Sequence, residues 1–268
     1  MSVNPEGSKK TPPVNDLDRY SEAMHKSMMD KLYFMDKVDA RLFFDYGCAD
    51  GELLRMASTL FPHDTFFGYD EDPEMVKRCP EGINVTSDRG QFDMWSFANR
   101  PSRCLVLSSV VHEMYSYKRN DMEGFWNWVF NGCFEYIALR DMCVSRTTSR
   151  PSDSISVAKV RIRFDREKIS QWESRWGSLD ENWSLTHFLL TYRYEEGWDR
   201  EMRENYLPVC LEELLALVPK RWEPVYIEHY TLPFVRSEAL KYFGIDLQDR
   251  THLKLILKRS TWKGDSDV

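Results

Sequence analysis

The chain has 268 residues, of which 42% are hydrophobic and 29% are charged, so it contains enough apolar residues to form a globular core. It carries 36 Lys and Arg residues against 43 Asp and Glu residues, and this net charge of −7 argues against a protein that coats DNA by neutralising its phosphates. No apolar run approaches the roughly 18 residues of a membrane span and the N-terminus lacks the apolar segment of a signal peptide, which predicts a soluble, cytoplasmic protein.

Residues 1–15 are polar and contain three prolines, and we expect them to form a mobile tail. Apolar residues then recur every three or four positions, which predicts a helix over residues 16–39 with one buried face. The period changes after that helix, where a short apolar, aromatic run predicts a buried strand over residues 41–46. A helix over residues 52–61 and a second strand over residues 65–70 follow.

Strands and helices continue to alternate towards residue 141. We predict a short helix over residues 73–78, a very apolar strand over residues 104–111, a helix over residues 120–132 and a strand over residues 134–139. Strands that alternate with helices need crossover connections, and these produce a parallel sheet that is covered by helices on both faces. The predicted fold class is therefore a doubly wound α/β protein.

The alternation stops at residue 142 and resumes near residue 208, so residues 142–207 look like an insertion. A helix over residues 211–218 and two strands, over residues 225–230 and 252–258, follow it. We divide the chain into five parts: the tail 1–15, an N-terminal core 16–141, an inserted substrate or lid region 142–207, a C-terminal core 208–262 and a second tail 263–268.

The six cysteines form no C-x-x-C pair and no Cys/His cluster with the spacing of a zinc site. We therefore expect free, mostly buried thiols in a reducing compartment, and we expect no metal. The cysteines are Cys48, Cys79, Cys104, Cys133, Cys143 and Cys210.

The turn between the first strand and the following helix has the sequence Asp45-Tyr-Gly-Cys-Ala-Asp-Gly51. Gly47 and Gly51 leave the backbone bare at a helix N-terminus, where amide groups face an anion. The dinucleotide-binding pattern G-x-G-x-x-G does not fit because Ala49 stands in the place of its second glycine, and no Gly-Lys-Ser/Thr of a phosphate loop follows.

This turn resembles the first motif of class I S-adenosylmethionine-dependent methyltransferases, and residues 68–75 resemble the acidic motif of that family. The resemblance covers residues 41–141, and the last two strands resemble the closing hairpin of the family. It implies a mostly parallel, seven-stranded sheet with an antiparallel last strand and S-adenosylmethionine as cofactor. Methyltransferase-like proteins of phage and bacterial origin are the nearest general likeness, which names no substrate. The alternative is a glycine-rich turn in another doubly wound protein.

The resemblance also assigns cofactor contacts. Asp45 is expected near the ammonium group of the cofactor, and Asp70 is expected to accept hydrogen bonds from both ribose hydroxyls. Asp88 stands either where the family places an adenine contact or in a solvated turn. The remaining expected contacts are Gly47, Ala49, Gly51 and Ser109.

Candidate catalytic residues follow two further strands. His112 and Glu113 come after the fourth strand, where the family faces the transferred methyl group, and histidine is easily poised as a base near neutral pH. The alternative is that His112 orders the loop and Glu113 caps the next turn. Arg140 and Asp141 follow the fifth strand and are either a second candidate pair or a surface ion pair. His112 and Arg140, together with Asp45 and Asp70, fall at predicted carboxyl ends of strands, where open α/β sheets bind ligands.

The insertion is locally basic. Residues 140–175 contain nine Lys and Arg residues against five Asp and Glu residues. Arg161 and Arg163 alternate with apolar residues, as on a strand with one basic face, and Trp172 and Trp176 follow. Positive charge beside aromatic rings is typical of proteins that bind unpaired nucleic acid. The alternative is that the tryptophans fill a small core and the arginines cover its surface.

We therefore predict an S-adenosylmethionine-dependent methyltransferase whose partner is a methyl-accepting substrate, with RNA or a single strand preferred. Expected substrate contacts are Arg161, Arg163, Trp172, Trp176 and Tyr115. A methyltransferase that acts on a small molecule or a protein side chain is the first alternative, and a cofactor-binding, inactive partner subunit is the second. We predict no membrane partner, and the sequence does not indicate an oligomeric state.

Overall fold

The computed structural model describes residues 27–97 and 102–260. The tails predicted over residues 1–15 and 263–268 lie outside the described residues, as does the first part of the predicted helix over residues 16–39. In the described part, this segment forms only one short helix, α1 (Met28–Lys31), and turns follow it.

A seven-stranded sheet forms the centre of the molecule, with the strand order β3-β2-β1-β4-β5-β7-β6. β7 runs antiparallel to its neighbours β5 and β6, and the other strand pairs are parallel. The predicted fold class is therefore confirmed, including the antiparallel last strand. The strands are β1 (Leu42–Tyr46), β2 (Thr65–Tyr69), β3 (Asn84–Thr86), β4 (Arg103–Ser108), β5 (Tyr136–Met142), β6 (Trp222–Tyr230) and β7 (His252–Arg259).

Aromatic side chains hold the middle of the sheet together on both faces. Phe43 of β1 stacks on Phe66 of β2 with ring centroids 5.2 Å apart, and on the opposite face Phe44 stacks on Phe67 at 4.9 Å. Successive residues of a strand point to opposite faces, so an uninterrupted apolar run such as β1 needs cover on both sides. Two hydrophobic clusters, one on each face, provide that cover.

Helices of the N-terminal core connect these strands. They are α2 (Glu52–Leu60), α3 (Pro73–Val76), α4 (Arg89–Phe97), α5 (Val111–Tyr117) and α6 (Met122–Asn131). The strand predicted over residues 104–111 was too long, because it ends at Ser108 and Ser109 adopts a left-handed conformation (φ 59°) that turns the chain into α5. The strand predicted over residues 134–139 was too short, and Arg140 and Asp141 lie inside β5 rather than beyond it.

The insertion is helical. It contains α7 (Ser154–Arg163), α8 (Arg166–Trp176), α9 (Asn182–Thr191) and α10 (Trp198–Glu201). The predicted strand with Arg161 and Arg163 on one basic face was therefore wrong. Asp153 caps α7 by accepting a hydrogen bond from the Ser156 amide, and the buried residues of α7 are three positions apart, as on one side of a helix.

The rest of the chain closes the sheet and adds α11 (Leu211–Leu217) and α12 (Pro233–Phe243). Residues 232–247, which include α12, belong to the same apolar cluster as the insertion. We call this cluster, formed by residues 144–207 and 232–247, the helical unit. The sequence boundary that we placed at residue 208 thus separates two segments that share one core.

The six cysteines are free, as predicted, but only three of them are buried, whereas we expected most of them to be. Among the described residues, no helix combines the length and apolar character that crossing a membrane requires.

Candidate cofactor and acceptor site

The carboxyl ends of β1, β4 and β5 meet at one edge of the sheet, because these three strands are parallel neighbours. Asp45 is opposite Val106 in the register, and Ser108 is opposite Arg140. Topology alone therefore brings the candidate residues of three strands together.

The loop after β1 has an unusual backbone. Gly47 and Gly51 have φ angles of 82° and 74°, and Ala49 has a φ of 48°. A Cβ atom on Gly47 would lie 2.7 Å from Cγ2 of Val110, so any larger residue would force the loop away from the start of α5. The amides of Gly47 and Cys48 both donate to the carbonyl of Tyr69 and so fix the loop against β2.

Asp45 lies beneath this loop and is 2% exposed. Its Oδ1 atom is buried and has no hydrogen-bond partner within the described ranges 27–97 and 102–260. Burial, together with the nearby Asp70 carboxylate, raises the pKa of Asp45 to about 7, although the ammonium group of Lys31 opposes the shift. A buried carboxylate oxygen without a partner is costly, so this atom fits a ligand that brings a hydrogen-bond donor, such as the ammonium group expected there.

Asp70 follows β2 and holds the loop in place. Its Oδ2 accepts from the Ala49 amide at 2.8 Å and its Oδ1 accepts from the Asp72 amide at 2.9 Å. Burial raises the pKa of Asp70, and these two hydrogen bonds partly offset the rise. An ionised carboxylate has about four acceptor sites, so Asp70 retains capacity for ribose hydroxyls.

Asp88 is exposed after β3 and accepts a hydrogen bond from the Gly90 amide at 2.8 Å at the start of α4. This contact fits a residue that caps a helix. Ser109 lies at the sheet edge, where its hydroxyl accepts a hydrogen bond from Arg140 Nη1 at 2.8 Å.

Arg140 is 3% exposed, so it does not form the surface ion pair that was one interpretation of the sequence. Its Nε donates to Asp30 at 3.0 Å, next to α1's Lys31. Its Nη2 is buried and has no acceptor in the part of the chain that the structure describes. Arg140 and Asp45 thus each have one buried polar atom without a hydrogen-bond partner among the described residues.

Lys31 of α1 is a residue that the sequence analysis missed. It is only 8% exposed. Burial and the charge of Arg140 lower the pKa of Lys31 to about 8, while the carboxylates of Asp45 and Asp141 oppose the shift. Nothing in the sequence indicates its position, because α1 reaches the strand ends only by tertiary packing.

His112 and Asp141 form a buried pair, with Nδ1 of His112 2.8 Å from Oδ1 of Asp141. Asp141 also accepts from the Val111 amide at 2.8 Å, and so fixes the start of α5. Burial favours neutral His112, but the Asp141 carboxylate outweighs it and raises the pKa of His112 to about 9. Because a carboxylate only accepts, Nδ1 carries the hydrogen and Nε2 points away from Asp141.

Three glutamates lie beside His112, and two of them come from the helical unit. Glu204 accepts from Arg200 Nε at 2.8 Å and from the Tyr117 hydroxyl at 2.9 Å, while Arg200 Nη2 is 3.5 Å from Glu113. Burial and neighbouring Glu204 raise the pKa of Glu113 to about 7 and that of Glu201 to about 8. The sequence analysis found Glu113 alone, because residues 200–206 reach α5 only through the fold.

The substrate contacts that we predicted in the insertion do not form a basic, aromatic surface beside this site. Trp172 is fully buried and Trp176 packs partly buried against the same apolar cluster, which is the core-filling alternative. Arg161 pairs with Glu173 at 2.8 Å, and Arg163 donates to a carbonyl of α12. Tyr115 lies on α5, where its hydroxyl accepts from Trp126 Nε1 at 3.1 Å.

Solved structures share this fold. The crystal structure of a SAM dependent methyltransferase from Archaeoglobus fulgidus is 13% identical over 90% of this chain and 99% of its own, with a TM-score of 0.50. The structure of the Pyocyanin Biosynthetic Protein PhzM is 12% identical over 91% of this chain and 58% of its own, with a TM-score of 0.51. No protein-family model matches the sequence, and curated proteins give no significant match. The chain therefore has the class I methyltransferase fold.

Proposed function

We propose that this chain is an S-adenosylmethionine-dependent methyltransferase that binds its cofactor at the carboxyl ends of β1, β2 and β4. The observation that carries the proposal is the buried Asp45 Oδ1, which has no hydrogen-bond partner among the described residues and lies under a loop whose Gly47 leaves no room for a side chain. The ammonium group of the cofactor would supply the hydrogen-bond donor that this carboxylate oxygen lacks.

The same strand ends offer groups for the rest of the cofactor. Asp70 is proposed to bind the ribose, and Lys31 and the free Nη2 of Arg140 are proposed to bind the carboxylate of the amino acid portion. Gly47, Ala49 and Gly51 would pass beneath that portion. The bound cofactor supplies an electrophilic methyl group, and the protein has to hold the acceptor in line with it.

His112 and Glu113 are proposed to contact the acceptor, and Glu113, whose pKa is raised to about 7, is proposed to take its proton. The Asp141 carboxylate fixes the His112 ring, so we assign Asp141 as a positioning residue rather than a group that touches the acceptor. Arg140, which the sequence offered as a catalytic candidate, is better assigned to the cofactor because its guanidinium pairs with Asp30 of α1, beside Lys31.

We propose a small acceptor rather than RNA. The two sequence observations that favoured nucleic acid are absent, since Arg161 and Arg163 lie on a helix and Trp172 is buried. The helical unit also covers the end of α5, where the amide of Asn205 donates to the Ser116 hydroxyl at 2.8 Å. A contact of this kind favours an enclosed pocket over an open groove for a strand.

Calorimetry with S-adenosylhomocysteine tests the cofactor site. We expect Asp45→Asn to weaken binding by about 10- to 100-fold, because a hydrogen bond to a charged group contributes about 1.5–3 kcal/mol. The matched control is Asp39→Asn, which removes the same charge from an exposed position and is expected to leave binding unchanged. Absence of binding by the wild-type chain, or equal binding by both variants, would refute the assignment.

Activity requires a second experiment. Radiolabelled methyl transfer to pools of metabolites, proteins, RNA and DNA identifies the acceptor class, and we expect label in the metabolite pool. Label in RNA would reject the small-acceptor proposal. Cofactor binding without transfer to any pool would support the inactive partner subunit instead.

A further inference from the structure

The side chains of His112, Glu113 and Glu204 converge at the end of α5. One ligand atom from each, a histidine nitrogen and two carboxylate oxygens, lies within 4.8 Å of the other two. Nδ1 of His112 already donates to Asp141, so Nε2 is the ring nitrogen that remains. His112 is 5% exposed, and its Nε2 makes no hydrogen bond within residues 27–97 and 102–260.

Neighbouring groups orient these side chains by hydrogen bonds, as neighbouring groups do for the side chains that bind metals in other proteins. A metal-binding histidine usually donates its other ring hydrogen to a carboxylate, which sets the tautomer and the ring orientation, and Asp141 does this for His112. Among the described residues, Tyr117 and Arg200 donate hydrogen bonds to Glu204, and both bonds go to Oε1. Oε2 is therefore left for a ligand. Two of the three donor groups are therefore oriented before any ligand arrives.

The surroundings of the cluster are acidic. Glu113 and Glu204 lie beside His112, and Arg200 forms ion pairs with both of these glutamates. Glu204 is 3% exposed, so water screens these charges poorly. A second cation at this place would stabilise the folded structure.

We propose that Nε2 of His112 and the carboxylates of Glu113 and Glu204 bind a divalent transition-metal cation, with Mn²⁺ as the best match. Imidazole and carboxylate together suit a first-row divalent ion, whereas Ca²⁺ and Mg²⁺ prefer oxygen donors alone. Only the role of this cation rests on the proposed function. It would bind an oxygen atom of the acceptor and lower the pKa of that group, which would lose its proton to solvent water. His112 and Glu113 would then act as metal ligands in place of the proton-accepting role proposed above.

Titration of the purified full chain with MnCl₂ tests the site, with calorimetry and the electron paramagnetic resonance signal of free Mn²⁺ as two independent readouts. We expect one Mn²⁺ per chain. Glu204→Gln and, separately, Glu113→Gln each remove one ligand charge and should weaken binding at least 10-fold, while circular dichroism confirms that each variant is folded. The control Glu81→Gln removes a carboxylate from an exposed loop and should bind Mn²⁺ as the wild type does.

Absence of Mn²⁺ binding at millimolar concentration would overturn the proposal, and so would undiminished binding by both folded variants. Ca²⁺ binding as tight as Mn²⁺ binding would exclude the imidazole ligand and would also overturn it. S-adenosylhomocysteine binding, measured on the same preparation, separates this inference from the proposed function. A chain that binds the nucleoside but no Mn²⁺ rejects only the metal site, and a chain that binds Mn²⁺ but no nucleoside rejects only the methyltransferase.

Discussion

The sheet and the helical unit place their polar residues by different means. In the sheet, a residue at the carboxyl end of a parallel strand lies at the ligand-binding edge whatever its neighbours are, as Asp45 and Asp70 show. In the helical unit, position depends on packing, and Trp172, Phe188 and Phe243 are all fully buried. In the sheet, a sequence pattern therefore indicates which residues lie at the ligand-binding edge. In the helical unit, the pattern mainly indicates which residues form the core.

The two regions nevertheless meet at one site. Strand β5 contributes Asp141 and the adjoining helix α5 contributes His112. The helical unit contributes Glu204 and Tyr206, whose ring is edge-on to His112 at 5.1 Å. The helical unit thus lines one side of the proposed acceptor site and also has a core of its own. A substitution that loosens this core should reach the acceptor site before it reaches the cofactor loop.

Trp172→Ala makes the sharpest test of this comparison. Trp172 is fully buried and its Nε1 donates to Ser184 at 3.2 Å, so we expect its truncation to lower the free energy of unfolding by about 3–5 kcal/mol. Urea denaturation measures the loss. Ile162→Ala, at an 82% exposed position on α7, is the matched control and should change stability by less than about 0.5 kcal/mol. Nearly equal effects of the two substitutions would show that the helical unit has no core of its own.

Nucleoside binding should respond to pH at the sheet edge. Asp45, whose pKa is about 7, must ionise to pair with an ammonium group, so affinity for S-adenosylhomocysteine should fall by up to about 10-fold per pH unit below pH 7. Lys31, whose pKa is about 8, loses its charge above that pH, and affinity should then decline again. Calorimetry at about eight pH values between roughly pH 5.5 and pH 9 gives the profile.

Two variants resolve that profile into its parts. Asp45→Asn should remove the decline at low pH, because the amide cannot ionise, and Lys31→Gln should remove the decline at high pH. Neither Asp45 nor Lys31 belongs to the helical unit. A profile that Trp172→Ala shifts by more than a few tenths of a pH unit would therefore contradict the separation of the two regions.

The sequence located the candidate residues that lie at strand ends, and it did not locate the candidates that reach the same edge by packing. Asp45, Gly47 and Asp70 lie at or just after the ends of apolar strands, so a local pattern was sufficient to place them there. Lys31 and Glu204 reach the site across long sequence separations, and no local pattern encodes such contacts. The error over residues 154–163 had a usable signal, since Asp153 and Asp165 each stand one residue before a helix as N-caps. Four alternating residues were too short a run to distinguish a strand from a helix.

The smallest expected effect concerns the basic residues of the insertion. Arg161 is exposed and paired with Glu173 and Asp180, so Arg161→Ala should change stability by less than about 1 kcal/mol. Because these two acids neutralise its charge and salt screens what remains, we expect little RNA binding at about 150 mM salt. We also expect Arg161→Ala to leave that binding unchanged. Filter binding of a labelled single strand across a salt series measures this. RNA binding that falls steeply with salt in the wild type, and less steeply in Arg161→Ala, would show that the helical unit binds nucleic acid. That result would contradict the contrast with the sheet.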